Sequence, residues 1–211
     1  MKVFGIGLNK TGTTSLGKAL EILGYSKHIS CNLELTENWS EGNLLPILEV
    51  AHKHNNFEDW PWPLIYKELY KEFDDAKFIL TIRSSPEEWY NSLCKHAIRT
   101  GPTKFRKLIY GHEMPQEYMK QHLDFYNQHN KNVIEFFNSV DPNKLLVISL
   151  NEGNNWQKLC EFLDKDIPEV EFPFLNTAIS FKKNSSDEAE ELKISFLTQI
   201  LNYGKQLKRK F

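Results

Sequence analysis

The nine residues from Gly7 to Ser15 combine two glycines, one lysine and several hydroxyl side chains. They follow Lys2–Leu8, which predicts a short buried strand, and precede a leucine repeat at helical spacing that stops at Gly24. In such a strand–loop–helix unit, backbone N–H groups and the positive helix end converge on one point. The loop therefore predicts a phosphate site, and the alternative is a structural turn with an exposed lysine.

This loop differs from the nucleotide-binding P-loop at one position. Gly7 and Gly12 have the separation of the P-loop glycines, but Thr13 stands where that motif requires lysine. Lys10 is the only lysine in the loop, and neither later predicted strand ends in an aspartate that would help to hold Mg²⁺. The sequence therefore disfavours ATP chemistry. A P-loop kinase stays an alternative, as does a non-catalytic nucleotide-binding module.

The elements that must position this loop alternate between strand and helix. Further strands are predicted at Lys77–Ile82 and Leu145–Leu150. Helices are predicted at Leu44–His54, Pro63–Phe73, Pro86–His96, Pro115–Phe137, Trp156–Leu163 and Ser185–Leu207. The alternation predicts an α/β fold with a mostly parallel sheet covered by helices, and ligands beyond the carboxyl ends of the strands. The 211 residues suffice for one domain, 1–211.

Composition narrows the classes of function. The formal net charge of −2, with acids and bases interspersed, does not suggest a nucleic-acid surface, and the basic tail 205–210 is expected to be a solvated helix end. Three distant cysteines indicate neither a disulfide framework nor a zinc site. The first apolar stretch is too short for a signal peptide, and no segment is long enough to span a membrane. We expect a soluble, cytoplasmic protein.

Lys10–Ser15 resembles the 5′-phosphosulfate-binding loop of sulfotransferases that use 3′-phosphoadenosine 5′-phosphosulfate (PAPS). Later blocks are similar, in order, to a small branch of that superfamily: Asp59–Pro61, Lys77–Arg83, Trp89–Ser92, Gly153 with Trp156, Leu159–Leu163, and Phe172–Pro173 with Asn176. The resemblance implies a P-loop-type three-layer sandwich, with PAPS as donor and 3′,5′-adenosine bisphosphate (PAP) as product. It implies no metal.

The resemblance also assigns roles within the loop. Lys10 would contact the bridging and 5′-phosphate oxygens, where charge accumulates as the sulfuryl group departs. The remaining backbone and hydroxyl donors of the donor-binding loop would come from Thr11, Gly12, Thr13, Thr14 and Ser15.

The 3′-phosphate of the donor requires a second anion site. Arg83 ends a predicted strand and precedes a capped helix, so its guanidinium is placed to grip a phosphate. The alternative is a surface ion pair with a following glutamate. In the family a serine follows this arginine by eight residues, where this chain has Asn91. Ser92 is the preferred partner because it keeps its spacing from Trp89, and Ser84 is the second choice.

Sulfuryl transfer to a hydroxyl benefits from a general base. Asp59 is the first candidate because it lies in an aromatic, proline-rich turn where partial desolvation would raise its pKa. An aspartate that forms the turn or caps a helix is the alternative. His28 is the second candidate. The other histidines have no metal-ligand spacing, so no metal is predicted.

The acceptor is expected to be a small molecule or a glycan. Trp60–Trp62 and a loop from Arg99 to Met114 are the candidate acceptor surfaces, although aromatic stripes more often pack the core. Lys182 and Lys183 are candidates for the neighbourhood of the 3′-phosphate, or for a solvated charge pair. The sequence gives no indication of the oligomeric state.

Overall fold

The computed structural model describes residues 1–175. The chain divides into two units, Met1–Pro173 and Phe174–Phe211, and the fold below is that of the first. The predicted closing helix, Lys182, Lys183, Asn176 and the basic tail lie outside the described residues. A single domain over the whole chain therefore stays a prediction.

Four parallel strands form one sheet in the order β2-β1-β3-β4. They are β1 (Val3–Gly5), β2 (Asn56–Phe57), β3 (Lys77–Ile82) and β4 (Leu145–Ser149). Phe4 of β1 lies opposite Phe57 of β2 and Phe78 of β3, and Ile79 of β3 lies opposite Leu146 of β4. The α/β prediction is confirmed. The sequence did not predict β2, because two residues are too few to show the alternation of a strand.

Eight α-helices lie within residues 1–175. They are α1 (Thr13–Ile22), α2 (Leu33–Ser40), α3 (Leu45–Lys53), α4 (Tyr66–Glu72), α5 (Pro86–Thr100), α6 (Lys104–Tyr110), α7 (Met119–Val140) and α8 (Asn155–Leu163). Two of them, α2 and α6, were not predicted. The prediction of a loop from Arg99 to Met114 is wrong over α6, which Thr103 caps and Gly111 ends.

Helices cover both faces of the sheet because successive strand residues point to opposite sides. Phe4 and Phe78 are buried on one face, against residues of α3, α4 and α7. Val3 and Ile79 are buried on the other face, against residues of α1 and α8. These two cores make the three layers that were predicted. No helix within residues 1–175 is long and apolar enough to cross a membrane.

The parallel arrangement positions the candidate site. Because all four strands run the same way, the residues that follow them meet at one edge of the sheet. The loop with Lys10 follows β1, Glu58 and Asp59 follow β2, Arg83 follows β3, and Asn151 lies just after β4. Groups from four distant parts of the sequence therefore share one neighbourhood.

Candidate active site

The loop after β1 is bent by two residues in the left-handed region. Lys10 has a φ of 69° and Gly12 a φ of 104°. A side chain at Gly12 would also meet Leu150 at 2.7 Å. The first helical hydrogen bond of α1 runs from Leu16 N–H to Gly12 O at 3.0 Å, so the helix offers no carbonyl to the N–H groups at its start. Those groups, together with the positive helix end, suit an anion.

Thr11 shapes the loop from the inside. Its hydroxyl donates to Leu8 O at 2.6 Å, and its backbone N–H donates to the same oxygen at 3.3 Å. The Thr11 hydroxyl also lies 2.6 Å from the hydroxyl of Thr81 on β3. Because Thr11 has already donated its proton, Thr81 is the donor in that pair. Thr11 is 1% exposed, so its side chain ties the loop to the sheet rather than facing solvent.

Asn9 is anchored by two aromatic side chains that the sequence did not single out for this task. Trp89 of α5 donates its indole N–H to Asn9 O at 2.8 Å. Tyr110 of α6 donates its hydroxyl to Asn9 Oδ1 at 2.7 Å. The loop is therefore fixed from the β3–α5 side and from α6. No sequence signal links these residues, because 80 and 101 positions separate them from Asn9.

Arg83 stands beside the same loop. Its Nε donates to Lys10 O at 2.8 Å, and its Nη1 lies 3.4 Å from Asn151 Oδ1 and 3.5 Å from Glu88 Oε1. Asn151 in turn donates to Glu88 at 3.1 Å. The ion pair foreseen as the alternative is thus present, but it is long. It occupies one end of the guanidinium, while Nε supports the loop.

The two serines considered as partners of Arg83 differ in position. Ser84 is exposed in the loop directly after β3, and Ser92 is half-buried on α5. Between them, Ser85 caps α5 by accepting from Glu88 N–H at 3.1 Å.

Two adjacent carboxyl groups follow β2. Asp59 is half-buried, has a φ of 63°, and accepts from Trp60 N–H at 2.9 Å. Burial and the neighbouring Glu58 raise the pKa of Asp59 to about 7, against the opposing effects of Trp60 N–H, Lys10 and the Thr13 hydroxyl. A carboxyl group with such a pKa is suited to accept a proton at neutral pH.

Glu58 is the functional candidate that sequence reasoning missed. It is 0% exposed, and its two carboxylate oxygens have no hydrogen-bond partner among the described residues. Burial raises the pKa of Glu58, and the hydroxyls of Ser30 and Thr13 oppose that rise without reaching hydrogen-bonding geometry. Its acidic side chain beside Asp59 was the available signal, but only the missed strand β2 would have placed it at the site.

Lys10 lies in the electrostatic field of these groups. Burial lowers the pKa of its ammonium, Arg99 and Arg83 lower it further, and Asp59 raises it. The lysine of the loop and the candidate base are therefore close enough to interact. Arg99, at the last turn of α5, is a cation that the sequence suggested only as part of a loop.

Several residues of the two candidate acceptor surfaces are buried in the structure. Trp62 is fully buried and donates its indole N–H to Ile29 O at 3.0 Å, so it belongs to the core. Trp60 is 2% exposed and packs edge-on against Tyr110 at 6.0 Å between ring centroids. Arg106 of α6 is buried and donates to Glu113 O at 2.6 Å, which fixes the segment beyond α5.

The fold and the residues at this edge of the sheet indicate a class of enzyme. A parallel α/β sheet, with a loop after β1 whose geometry suits an anion and further cations near the neighbouring strand ends, is typical of enzymes that act on nucleotides or their phosphate esters. The chain belongs to the family of the sulfotransferase domain, whose model matches residues 2–181. The resemblance drawn from the loop and the later blocks is confirmed.

One curated relative matches this chain over most of the length of both proteins. The chain is 25% identical over 218 residues to the Ava biosynthesis cluster protein M of Aspergillus versicolor, covering 84% of this chain and 82% of that protein.

Within residues 1–175, no group of three or more His, Cys, Asp and Glu side chains is arranged to hold a metal ion.

Proposed function

We propose that this sulfotransferase moves the sulfuryl group of PAPS to a hydroxyl or amine of a small molecule or glycan. One observation carries the proposal: the cation of the loop, Lys10, lies in the field of Asp59, a carboxyl group with a pKa near neutrality. Sulfuryl transfer needs a cation for the leaving phosphate and benefits from a base for the attacking group. Both are present at the same edge of the sheet.

The donor site fits the two anionic ends of PAPS. The 5′-phosphosulfate would lie on the N–H groups at the start of α1, with Lys10 at the bridging oxygen. The 3′-phosphate would lie near Arg83, whose Nε supports the loop and whose Nη1 makes only long contacts to Asn151, at 3.4 Å, and Glu88, at 3.5 Å. Ser92 or Ser84 would add a hydroxyl donor. The left-handed conformation of Gly12 permits this close approach of the backbone.

The residues suggest how transfer proceeds. The acceptor oxygen or nitrogen attacks sulfur, the bond from sulfur to the bridging phosphate oxygen breaks, and the acceptor proton passes to Asp59. Negative charge grows on the departing PAP, where Lys10 and the helix end stabilise it more strongly than in the bound donor. Lys10 and Asp59 are the proposed catalytic residues.

A kinase is the second candidate, because Asp59 follows β2 directly beside the loop. A carboxylate in that place is suited to help hold Mg²⁺ in ATP enzymes. Two features weigh against it here. Thr13 stands where the P-loop lysine is required, and the raised pKa of Asp59 indicates that its charged form is disfavoured.

A thermal-shift comparison tests the proposal. PAP without Mg²⁺ should raise the melting temperature of the native protein by mass action, whereas ATP with Mg²⁺ should not. Lys10→Ala should reduce the PAP response by the amount that corresponds to an affinity loss of about tenfold, while Lys120→Ala, at an exposed lysine of α7, should keep the full response. A response to ATP and Mg²⁺ alone would favour the kinase. A response to PAP without turnover of PAPS over a broad acceptor panel would favour a non-catalytic nucleotide-binding module.

A further inference from the structure

We propose that His28, held by Glu21, is a positioning residue that faces the buried, unpartnered Glu58 and sets the charge of that carboxyl group beside the proposed base Asp59. The proposal rests on the proposed function in so far as Asp59 is the base. Its geometric basis is a line of three side chains that runs from the surface of α1 to the buried end of β2.

The outer part of this line is a carboxylate–imidazole pair. His28 Nδ1 lies 2.7 Å from Glu21 Oε1, and His28 N–H donates to the same oxygen at 3.2 Å. The hydrogen bond from Lys18 first, and then the contacts of His28, lower the pKa of Glu21 to about 2, although burial opposes them. Glu21 is therefore a carboxylate near neutral pH, and His28 Nδ1 must carry the proton that it accepts.

The ring of His28 has little freedom. A side chain at Gly17 of α1 would meet His28 Cγ at 2.7 Å, so the ring lies directly on the backbone of the helix. With Nδ1 committed to Glu21, Nε2 is the nitrogen that faces inward. It lies 3.7 Å from Glu58 Oε1.

The inner part of the line is the unpartnered carboxyl group. Glu58 is 0% exposed and has no hydrogen-bond partner on either oxygen among the described residues, so the imidazole is the cation-forming group beside it. A proton held on Nε2 makes an imidazolium between two carboxylates. That arrangement favours the charged form of Glu58 despite its burial.

The charge of Glu58 then acts on its neighbour in sequence. Like charges at adjacent carboxyl groups oppose each other's ionisation, and Glu58 is the main charged group that raises the pKa of Asp59. The titratable groups that interact with the pair come from several elements: His28, Cys31, Lys10 of the loop and Tyr110 of α6. Further charges act on these groups, namely Glu21 of α1 with its partner Lys18 on His28, and Arg83 and Arg99 on Lys10. Of these side chains, His28 contacts the Glu58 carboxyl group, with its Nε2 3.7 Å from Glu58 Oε1.

We expect the pKa of Asp59 to fall when the His28 imidazole is removed. Burial then acts on Glu58 without an opposing cation and favours its protonated form, which removes negative charge beside Asp59 and lowers the pKa of Asp59. Glu58→Gln removes the same charge directly. The two substitutions should therefore act alike, and the double variant should act no more than either alone.

The test is a carboxyl ¹³C NMR titration of the full chain, with resonances assigned by substitution. His28→Gln and Glu58→Gln should each move the Asp59 midpoint down by about one pH unit, and the double variant should give the same midpoint. Glu21→Gln, which spares the buried residues, should move it in the same direction by less. His52→Gln is the matched control, because His52 forms a similar pair with Glu72 at 2.8 Å on the surface.

Any of three results would overturn the proposal. The first is an unchanged Asp59 midpoint in folded His28→Gln and Glu21→Gln proteins, and the second is an additive shift in the double variant. The third is a ¹⁵N spectrum that shows His28 as neutral imidazole at pH 7. These measurements need no turnover, so they can contradict the role of His28 whether or not sulfuryl transfer is detected. Where transfer is observed, the acidic limb of kcat/KM should follow the Asp59 midpoint in each variant.

Discussion

The Nε atom of Arg83 donates a hydrogen bond to the backbone carbonyl oxygen of Lys10 at 2.8 Å. The residue proposed to bind the 3′-phosphate thus supports the loop proposed to bind the 5′-phosphosulfate. Asn151 and Glu88 hold the other side of the guanidinium. A hydrogen bond therefore links the two proposed anion sites. A change at Arg83 should affect both the 3′-phosphate contact and the support of the loop, and these two effects can be measured separately.

Arg83→Ala should weaken PAP binding by about ten- to a hundredfold, the range expected for a lost charge-assisted hydrogen bond. It should weaken 5′-AMP by a smaller factor, since 5′-AMP lacks the 3′-phosphate and reports only the loss of loop support. Calorimetric titration of both nucleotides measures the two effects. Equal losses would show that Arg83 acts only through the Lys10 carbonyl.

Lys10→Ala should lower kcat by about two to three orders of magnitude, because a preorganised cation at the bridging oxygen stabilises the transition state more than the bound donor. PAP affinity should fall by only about tenfold. Lys10→Arg should restore binding better than rate, and Lys120→Ala should change neither. Steady-state transfer and calorimetry measure the split. A raised KM with unchanged kcat would make Lys10 a phosphate anchor.

Asp59→Asn should reduce kcat by about a hundredfold or more, as expected for loss of a general base. It should also stabilise the protein at alkaline pH. The pKa of Asp59 is raised to about 7, so the native state binds a proton that the unfolded state releases, and stability is lost as pH rises from about 4 through 7. We expect the variant to melt higher by about 3 °C or more at pH 8, with little difference below pH 4.

Melting curves of the wild type and of Asp59→Asn across this pH range make the measurement. Asp124→Asn is the control, because Asp124 is 62% exposed and pairs with Lys120 on the surface of α7. A stability gain of the same size at pH 4 and pH 8 would contradict the raised pKa of Asp59.

Gly7→Ala should destabilise the fold severely, because its Cβ would lie 2.1 Å from Thr81 Oγ1 and 2.4 Å from Thr81 O. Backbone atoms of β3 cannot move aside, so we expect a loss of about 3 kcal/mol or more in the free energy of unfolding. Gly42→Ala is the control. That residue has a φ of 76° and open space around it, so only backbone strain of about 1–2 kcal/mol applies. Urea denaturation compares the two, and similar losses would argue against the clash.

The loop proposed to bind the donor was predictable as part of a strand–loop–helix unit because its parts are contiguous. Strand, loop and helix succeed one another within about two dozen residues, and the conformation of Lys10–Ser15 follows from local geometry at a helix start. Arg83 was predictable for the same reason, as the residue that ends a clear apolar strand. The α/β class followed from the alternation of elements, which needs no knowledge of contacts.

Tertiary structure alone decided what surrounds these residues. Thr81 meets Thr11 across 70 positions, and Trp89 and Tyr110 reach Asn9 across 80 and 101. A two-residue strand carries no pattern, so the place of Glu58 at the sheet edge, 3.7 Å from His28, was invisible in the sequence. The physical reason is that the ends of parallel strands lie side by side in space although they are far apart in the sequence. The sequence alone identified Lys10 and Arg83 as candidate anion-binding groups, and only the packing determined which carboxyl and imidazole groups lie beside them.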